Sequence, residues 1–506
     1  MSLCSLGIQP IPTRTADPCS RARPSCGETK IGQAASYSQT IRIFASEFVA
    51  RLFLLTFLSV SALGISGQEP ANPVLTSNSA QPLNLDLASV ADLARTRSWL
   101  SKQAHQDATT ADAVAKRAES MRWGRVDFQS QYLRFNDPIV IQSPIPAPLV
   151  PVLGLKSLET PVAPQDNLHV DLQAGLPLFT GGKITSSIHQ AQAGSRAAAA
   201  AASDTDDDAV LEAERNYLSV LLTREAVDLN EAALSSYEEH LKHAESAFRQ
   251  GTAAKYDVIR AEAAVAEQEK RLTEARNQEA LAEAALRTSL ALEDAAPVTI
   301  DGSLFEIGEE TDLNQAMSAA VQSSPILKAL NEKIAAGHSA VHAQEADYLP
   351  QVTAIGGKEM VTNKLAQTDP HWFVGGRVTL NLFDGGERQA RVSEASSQLR
   401  SSEFEYHHAE EEIRLAVRSA YLDLESKQEE LASARKAAEL ATESLRLATK
   451  RFEVGTGTSL EVLDANVSLT AAQIGMQQAL YEMDLDYLSI HRYQGDIAEV
   501  SARIQK

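Results

Sequence analysis

The chain has 506 residues, 46 Lys and Arg against 67 Asp and Glu, a formal net charge of −21 and only 5% aromatic residues. The acidic balance excludes a nucleic-acid binder, because neutralising phosphates takes clustered Lys and Arg. The Ala/Glu/Leu-rich middle argues against all-β and disordered chains and for long helices, and no run of ~20 apolar residues outside the N-terminal region offers a polytopic helical membrane protein.

Arg42 and Arg51 precede the apolar stretch Leu52 to Leu63, which the small residues of GISG follow. Basic, apolar and small-residue segments in that order are a secretory signal, so residues 1–67 are expected to be leader and signal, cleaved between Gly64 and Gln68. The three cysteines, Cys4, Cys19 and Cys26, all precede that apolar core. The mature chain is therefore expected to carry no disulfide, thiolate metal site or Cys nucleophile. Residues 68–82 are expected to be a flexible polar tail.

From Leu83 to Met121 the pattern predicts a helix. Two strands follow, near 126–136 and 167–179. In the second, Leu168, Val170, Leu172, Ala174, Leu176 and Leu178 alternate with His169, Asp171, Gln173, Gly175 and Pro177. Between the strands, Asp137 to Pro164 contains seven prolines, which predicts a surface loop. The run LPLFTGG, Leu176 to Gly182, then opens a helix from Lys183 to Gln250. At 1.5 Å per residue, roughly 65 residues span about 100 Å. Leu234, Tyr237, Leu241, Ala244 and Phe248 step by 3, 4, 3, 4, a coiled-coil spacing. A tip near 249–257 and a returning helix from about Lys255 to Leu292 complete the unit, which spans 83–296.

After a linker at 297–311 the unit recurs over 312–496, leaving a tail at 497–506. LNLFDGG, Leu380 to Gly386, repeats LPLFTGG, and Phe179 and Phe383 lie 204 residues apart. Phe248 and Phe452, and Tyr217 and Tyr421, keep the same spacing. Upstream, Val126 corresponds to Val352, 226 residues on, so the first copy carries about 22 extra residues in its Pro-rich segment. Repeated markers at fixed shifts mean two copies of one structural unit. The second copy is expected to hold an entering helix from Asp312 to Tyr348, strands near 350–360 and 372–383, a long helix from Glu387 to Glu453, a tip near 453–461 and a last helix from Ser459 to Gly495.

Strands of about 10 residues, apolar on one face and polar on the other, fit a transmembrane β-barrel. A small sandwich on a helical stalk would show the same alternation. In lipid no sheet edge can stay open, so four strands must be completed by other chains. Three copies give twelve strands and the smallest barrel with a lumen. Trp123 and Trp372, near strand ends, suit a membrane-interface belt facing outer-membrane lipid.

The duplicated L-x-L-F-[TD]-G-G junctions and F-x-x-G-T tips make the chain resemble the TolC-like outer-membrane efflux protein family, over about Leu83 to Asp496. The resemblance implies a mainly α fold with a transmembrane β part: a homotrimer in which each protomer gives four strands to one shared 12-stranded barrel and whose helices build a hollow periplasmic α-barrel. It implies an exit duct of a tripartite efflux or secretion system, with a periplasmic adaptor and an inner-membrane pump as partners. A periplasmic coiled-coil adaptor or a structural scaffold is the alternative.

Three groups of residues follow. Phe179, Gly181 and Gly182, and Phe383, Gly385 and Gly386, are strand-to-helix junctions, where Gly permits the change of backbone pitch. Gly251, Thr252, Gly455, Thr456 and Gly457 are the tips, the candidate adaptor-docking rim, with an αL cap expected at Gly251 and Gly455. Thr458 or Ser459 is expected to cap the returning helix. Asp257, Glu461 and Asp464 match acidic positions near the family's entrance constriction, where a trimer would make rings of carboxylates that attract cations. Helix capping or a solvated face is the plainer reading of the same acids. Relatives carry an Arg where this chain has Gly457, which leaves Lys255 or Arg249 as possible substitutes. His407 and His408, being adjacent, do not share a helix face. His240 and His243 lack a third ligand, and Asp204 to Asp208 lacks the calcium-loop spacing and is read as an acidic helix surface. No metal, no cofactor and no enzyme activity are expected.

Overall fold

The computed structural model describes residues 83–144, 150–154, 157–163, 165–293, 298–305, 312–361 and 372–504. The expected signal and N-terminal tail lie outside them. Strand β1 (Leu83–Leu85) leads into helices α1 (Leu87–Arg97) and α2 (Trp99–Ser120). After a short 3-10 turn the chain enters β2 (Arg125–Arg134), then β3 (Ile139–Pro144), a one-turn helix, β4 (Ser157–Ala163) and β5 (Asp166–Phe179). Helices α3 (Lys183–Arg249) and α4 (Lys255–Ser289) form the first long hairpin. Strand β6 (Val298–Ile300), α5 (Leu313–Ser323), α6 (Pro325–Glu345), β7 (Gln351–Val361) and β8 (Trp372–Thr379) follow. The second long hairpin is α7 (Glu387–Glu453) with α8 (Ser459–Gln494), and α9 (Ile497–Ile504) is the last described element.

Several elements differ from the sequence expectation, each for a local reason. The entering helix does not start at Leu83. Asp86 and Ser89 form a capping box, with Ser89 N–H on Asp86 Oδ1 at 2.8 Å and Asp86 N–H on Ser89 Oγ at 2.9 Å, which fixes the helix start one residue later. Leu83–Leu85 pairs in parallel with Val298–Ile300 instead, so the segment read as a linker supplies a strand. Both entering helices are broken, at Ser98 and at Ser324, where Pro325 begins the next helix. Pro fits a first helical turn but lacks the N–H that a continuing one needs. The Pro-rich insertion is not a bare loop: Ile139–Pro144 and Ser157–Ala163 pair as an antiparallel hairpin. Strand β8 stops at Thr379 rather than at 383.

Four strands form one antiparallel sheet in the order β2-β5-β7-β8. Opposed residues share a face. One face carries Val126 and Phe128 on β2, Leu172 and Leu176 on β5, Val352 and Ala354 on β7, and Val374 and Val378 on β8. The other carries Arg125, Asp127, His169, Asp171, Gln173, Thr353, Glu359 and Arg377. The apolar side crosses both copies, interrupted by Ser130 opposite Val170, by Lys358 opposite Trp372, and at its outer end by the pair Arg134 and Asp166. On the polar side Arg125 Nε reaches Asp127 Oδ2 at 2.7 Å, and His169 stands 3.5 Å from Glu359.

The core sits where the hairpins meet the broken entering helices. One cluster joins Leu85 and Val90 to Val210, Leu218, Leu286, Leu488 and Ile497. A second joins Leu327 to Val417, Leu424, Met483 and Ile490. Nearer the tips the buried apolar groups shrink to Val227, Leu272 and Ala275, and to Ala233, Tyr237 and Leu463. No helix among the described residues is long and apolar enough to cross a membrane.

Candidate functional site: junctions, midsection and tips

The Gly-Gly junctions adopt the left-handed backbone that their composition predicts. Gly181 and Gly182 have φ of 63° and 91°, and Gly385 and Gly386 have 68° and 93°, a region costly for any residue with a Cβ. At Gly181 an added Cβ would stand 2.8 Å from Leu349 Cβ. Asp347, at the end of the second entering helix, ties the two junctions together. Its carboxylate receives Lys183 Nζ at 2.7 Å from the first copy and faces Arg391 at 3.5 Å from the second. Arg388 pairs with Asp384 at 2.5 Å and reaches the Asp347 carbonyl at 3.3 Å. Phe179 and Phe383 stay exposed at these junctions. Trp123, in the 3-10 turn before β2, and Trp372, at the far end of β8, are also exposed, at opposite ends of the sheet.

The acidic run read as a helix surface is largely interior. Asp206 and Asp207 are each 5% exposed. Asp206 accepts Ser101 Oγ at 2.5 Å and meets His105 Nε2 at 3.0 Å. Arg492, from the last long helix, bridges Asp204 at 3.2 Å and Asp208 at 2.7 Å. Burial raises Asp207 to about 6, against the opposing pull of Arg492. Two turns further, burial pushes Glu214 to about 8, opposed only by the hydroxyl of Ser501, which donates to it from α9. The acids are interior because α2 and α9 cover the helix face that carries them, a tertiary fact that spacing does not reveal.

Both tips are tight helix-to-helix turns. In the first, Gly251 has φ of 78°, its N–H reaches Phe248 O at 2.9 Å, and Thr252 N–H reaches Ala247 O at 2.9 Å. In the second, Gly455 has φ of 74°, and the N–H groups of Thr456 and Gly457 both reach Arg451 O at 2.9 Å. These are αL terminations that satisfy the last helical carbonyls. Thr252 and Thr456 add their hydroxyls, at 3.0 and 3.3 Å, to the same carbonyls. Thr458, not Ser459, caps the returning helix by accepting Glu461 N–H at 3.3 Å.

The three acids have distinct surroundings. Asp257 accepts the N–H of Ala254 at 3.1 Å and so caps the start of α4. Glu461 faces Arg451 at 3.1 Å. Asp464 is exposed one turn along and lines one cleft with Arg451, Glu461, Ser444 and Ser468. The cation of this turn is therefore Arg451, six positions before Gly457 and on the opposite helix. Gly457 itself admits no larger residue without movement, since a Cβ would meet Arg451 Cβ at 2.9 Å. Lys255 and Arg249 are absent from that cleft. A second cleft runs between the two tips, lined by Gln250, Thr252, Phe452, Glu453, Gly455 and Gly457 among others.

Sequence spacing also missed the contact that joins the hairpins behind the tips. His240, 5% exposed, places Nε2 2.8 Å from Ser459 Oγ and packs against Phe452 at 4.9 Å between ring centroids. Burial and the nearby His243 lower its pKa to about 4. Ser236 donates to Asn466 at 2.7 Å one turn away. The available signal was the stripe Ala233, Tyr237, His240, Ala244, all buried. Among the described residues no group of three metal-binding side chains comes together.

This architecture, long paired hairpins under a sheet with one apolar and one polar face, defines a class of outer-membrane channels. The family model described as "Outer membrane efflux protein" matches residues 156–292 and 316–496. The chain belongs to that family and to the cell outer membrane, with its elongated helical part in the periplasm. It is 24% identical over 323 residues to outer membrane efflux protein BepC of Brucella suis biovar 1, covering 62% of this chain and 69% of that protein. It is 23% identical over 311 residues to alkaline protease secretion protein AprF of Pseudomonas aeruginosa, covering 58% of this chain and 62% of that protein. The fold is similar to that of the outer membrane protein VceC of Vibrio cholerae, at 17% identity and a TM-score of 0.66 over 81% of this chain and 96% of that one. The CmeC outer membrane channel of Campylobacter jejuni gives 16% identity and a TM-score of 0.67 over 83% and 89%.

Proposed function

We propose that the chain is one protomer of a homotrimeric exit duct that passes solutes from an inner-membrane pump, through a periplasmic adaptor, to the exterior, without chemistry of its own. The observation that carries this reading is the four-stranded sheet. One face is apolar, the other is polar, and its two outer strands, β2 and β8, are each paired on one side only among the described residues. Hydrocarbon on the apolar face and water on the polar face match both surfaces, and three copies close twelve strands. The 67-residue helices then reach about 100 Å into the periplasm.

The tips are the far end of that reach. Gly251, Thr252, Gly455, Thr456 and Gly457 form the rim proposed to meet the adaptor. Asp257, Glu461 and Asp464 are proposed as carboxylates at the narrow mouth. Asp464 is the strongest of the three, because Asp257 is engaged as a cap and Glu461 faces Arg451. The test is conductance of the purified protein in planar bilayers. The duct predicts discrete conducting units whose cation preference falls in Asp464→Asn. A protein that forms no conducting units, and is washed from outer membranes by salt and alkali, would return the adaptor or scaffold reading.

A further inference from the structure

The two copies pair their own strands in one register. Arg125 opposes Gly175 in the first copy, and Gln351 opposes Thr379 in the second. These pairs are the same pair under the repeat shifts of 226 and 204 residues. Between the copies, β5 pairs with β7: Leu176 opposes Ala354, Pro177 opposes Thr353, and Phe179 lies beside Val352 across a bulge. The last residues of β5 are held only from that side, because β2 begins at Arg125, opposite Gly175.

The equivalent residues of the second copy, Leu380–Phe383, are not strand. Strand β7 begins at Gln351, opposite Thr379, and so has nothing left to offer them. Leu382 and Phe383 are 84% and 87% exposed. Their sequence matches a segment that is strand in the first copy, and the difference is the strand on the other side.

Resting on the trimer reading above, we infer that Leu380–Phe383 become strand against the start of β2 in a second copy of this chain. Applying the repeat shifts to the β5–β7 register sets Leu380 opposite the partner's Phe128 and Asn381 opposite the partner's Asp127. Phe383 then lies beside the partner's Val126. The chemistry of these pairs fits. Leu380 and the partner's Phe128 fall on the apolar face. Asn381 brings an amide donor to a carboxylate whose Oδ2 alone is taken by Arg125. Further out, Gly376 falls opposite the partner's Tyr132, a ring over a bare glycine. The competing register aligns the described strand ends, Thr379 with the partner's Arg125. It would set Arg377 against the partner's Asp127, a favourable charge pair, and Gly376 against the partner's Phe128. It leaves Leu380–Phe383 without a strand partner where lipid forbids an open edge.

Directly opposed residues of an antiparallel pair have Cα atoms about 4.5–5.5 Å apart, within the Cα separation that a disulfide spans. The test is the full chain with Cys4, Cys19 and Cys26 replaced by serine, carrying Phe128→Cys with Leu380→Cys, oxidised in outer membranes and run without reductant. The expected result is covalent dimers and trimers that reductant collapses. Phe128→Cys with Gly376→Cys, where added side-chain atoms meet open space, is expected to give at least tenfold less. Asp127→Cys with Asn381→Cys repeats the test on the polar face should the first pair disturb assembly. Cross-linking from the Gly376 pair instead, or from no pair in a sample whose mass is that of a trimer, overturns the register. A monomeric mass in the same sample overturns the trimer reading itself.

Discussion

The midsection and the tips are built from the same two long hairpins, yet they are held by opposite means. In the midsection, α1, α2 and α9 lay extra layers on the hairpins. Leu218, Leu488 and Ile497 are fully buried there, beside the buried acids Asp207 and Glu214. Among the described residues no further layer covers the tips. Small apolar groups and a few hydrogen bonds join the hairpins, among them His240 to Ser459 and Ser236 to Asn466. The covered midsection is thus held by a large apolar core, and the end proposed to dock the adaptor is held by small apolar clusters and a few hydrogen bonds.

Truncation tests that contrast most strongly. Leu488→Ala, in the large midsection cluster, is expected to cost about 2–5 kcal/mol, read as lost hydrogen-exchange protection across both hairpins. Leu463→Ala, in the small tip cluster, is expected to cost less than half as much and to loosen only the tips. Equal effects would erase the distinction.

The two regions should also answer pH in opposite directions. Glu214 has a folded pKa raised by burial to about 8. Its stabilising neutral form is fully present below its unfolded value, and the benefit is lost as pH rises through about 8. That change is on the order of a few kcal/mol, and Glu214→Gln should flatten it. His240 has a folded pKa lowered to about 4. Its contribution is fully present above the ordinary histidine range and is lost as pH falls toward about 4. The magnitude is about 1–3 kcal/mol, local to the tips, and His240→Gln should remove it. Exchange rates measured across pH at the α9 segment and at the tips separate the two. A common direction would contradict the assignment.

The smallest expected effect is at the first tip. Asp257→Ala removes an N-terminal cap and should cost about 0.5–1 kcal/mol, with fraying confined to the first turn of α4. Cation preference should fall less than in Asp464→Asn, because Asp257 is engaged as a cap; an equal loss would contradict the ranking of the two carboxylates at the mouth.

Much of the architecture was legible because it is written as period and repetition. Alternation over Leu168–Leu178 gave the sheet faces, and the repeated Gly-Gly and Gly-Thr pairs gave the breaks between strand, helix and tip. What escaped depends on neighbours. Asp206 and Asp207 look solvated in sequence because nothing local announces that α2 lies over them. Arg451 was missed because its partner, Glu461, lies across a turn whose closeness only the backbone shows. Asp86 and Ser98 are single capping residues, and Ser324 a single break ahead of Pro325, inside otherwise continuous helical patterns. The strand expectation ran past Thr379 because LNLF repeats the paired LPLF, and among the described residues no strand lies beside Leu380–Phe383.

The measurement that bears most directly on all this is the mass of the protein extracted by detergent from outer membranes. Three chains per particle is the predicted result, since four strands with two open edges close only in company. A monomer that leaves the membrane without detergent would contradict it, because a single four-stranded sheet has no way to satisfy its edges in lipid.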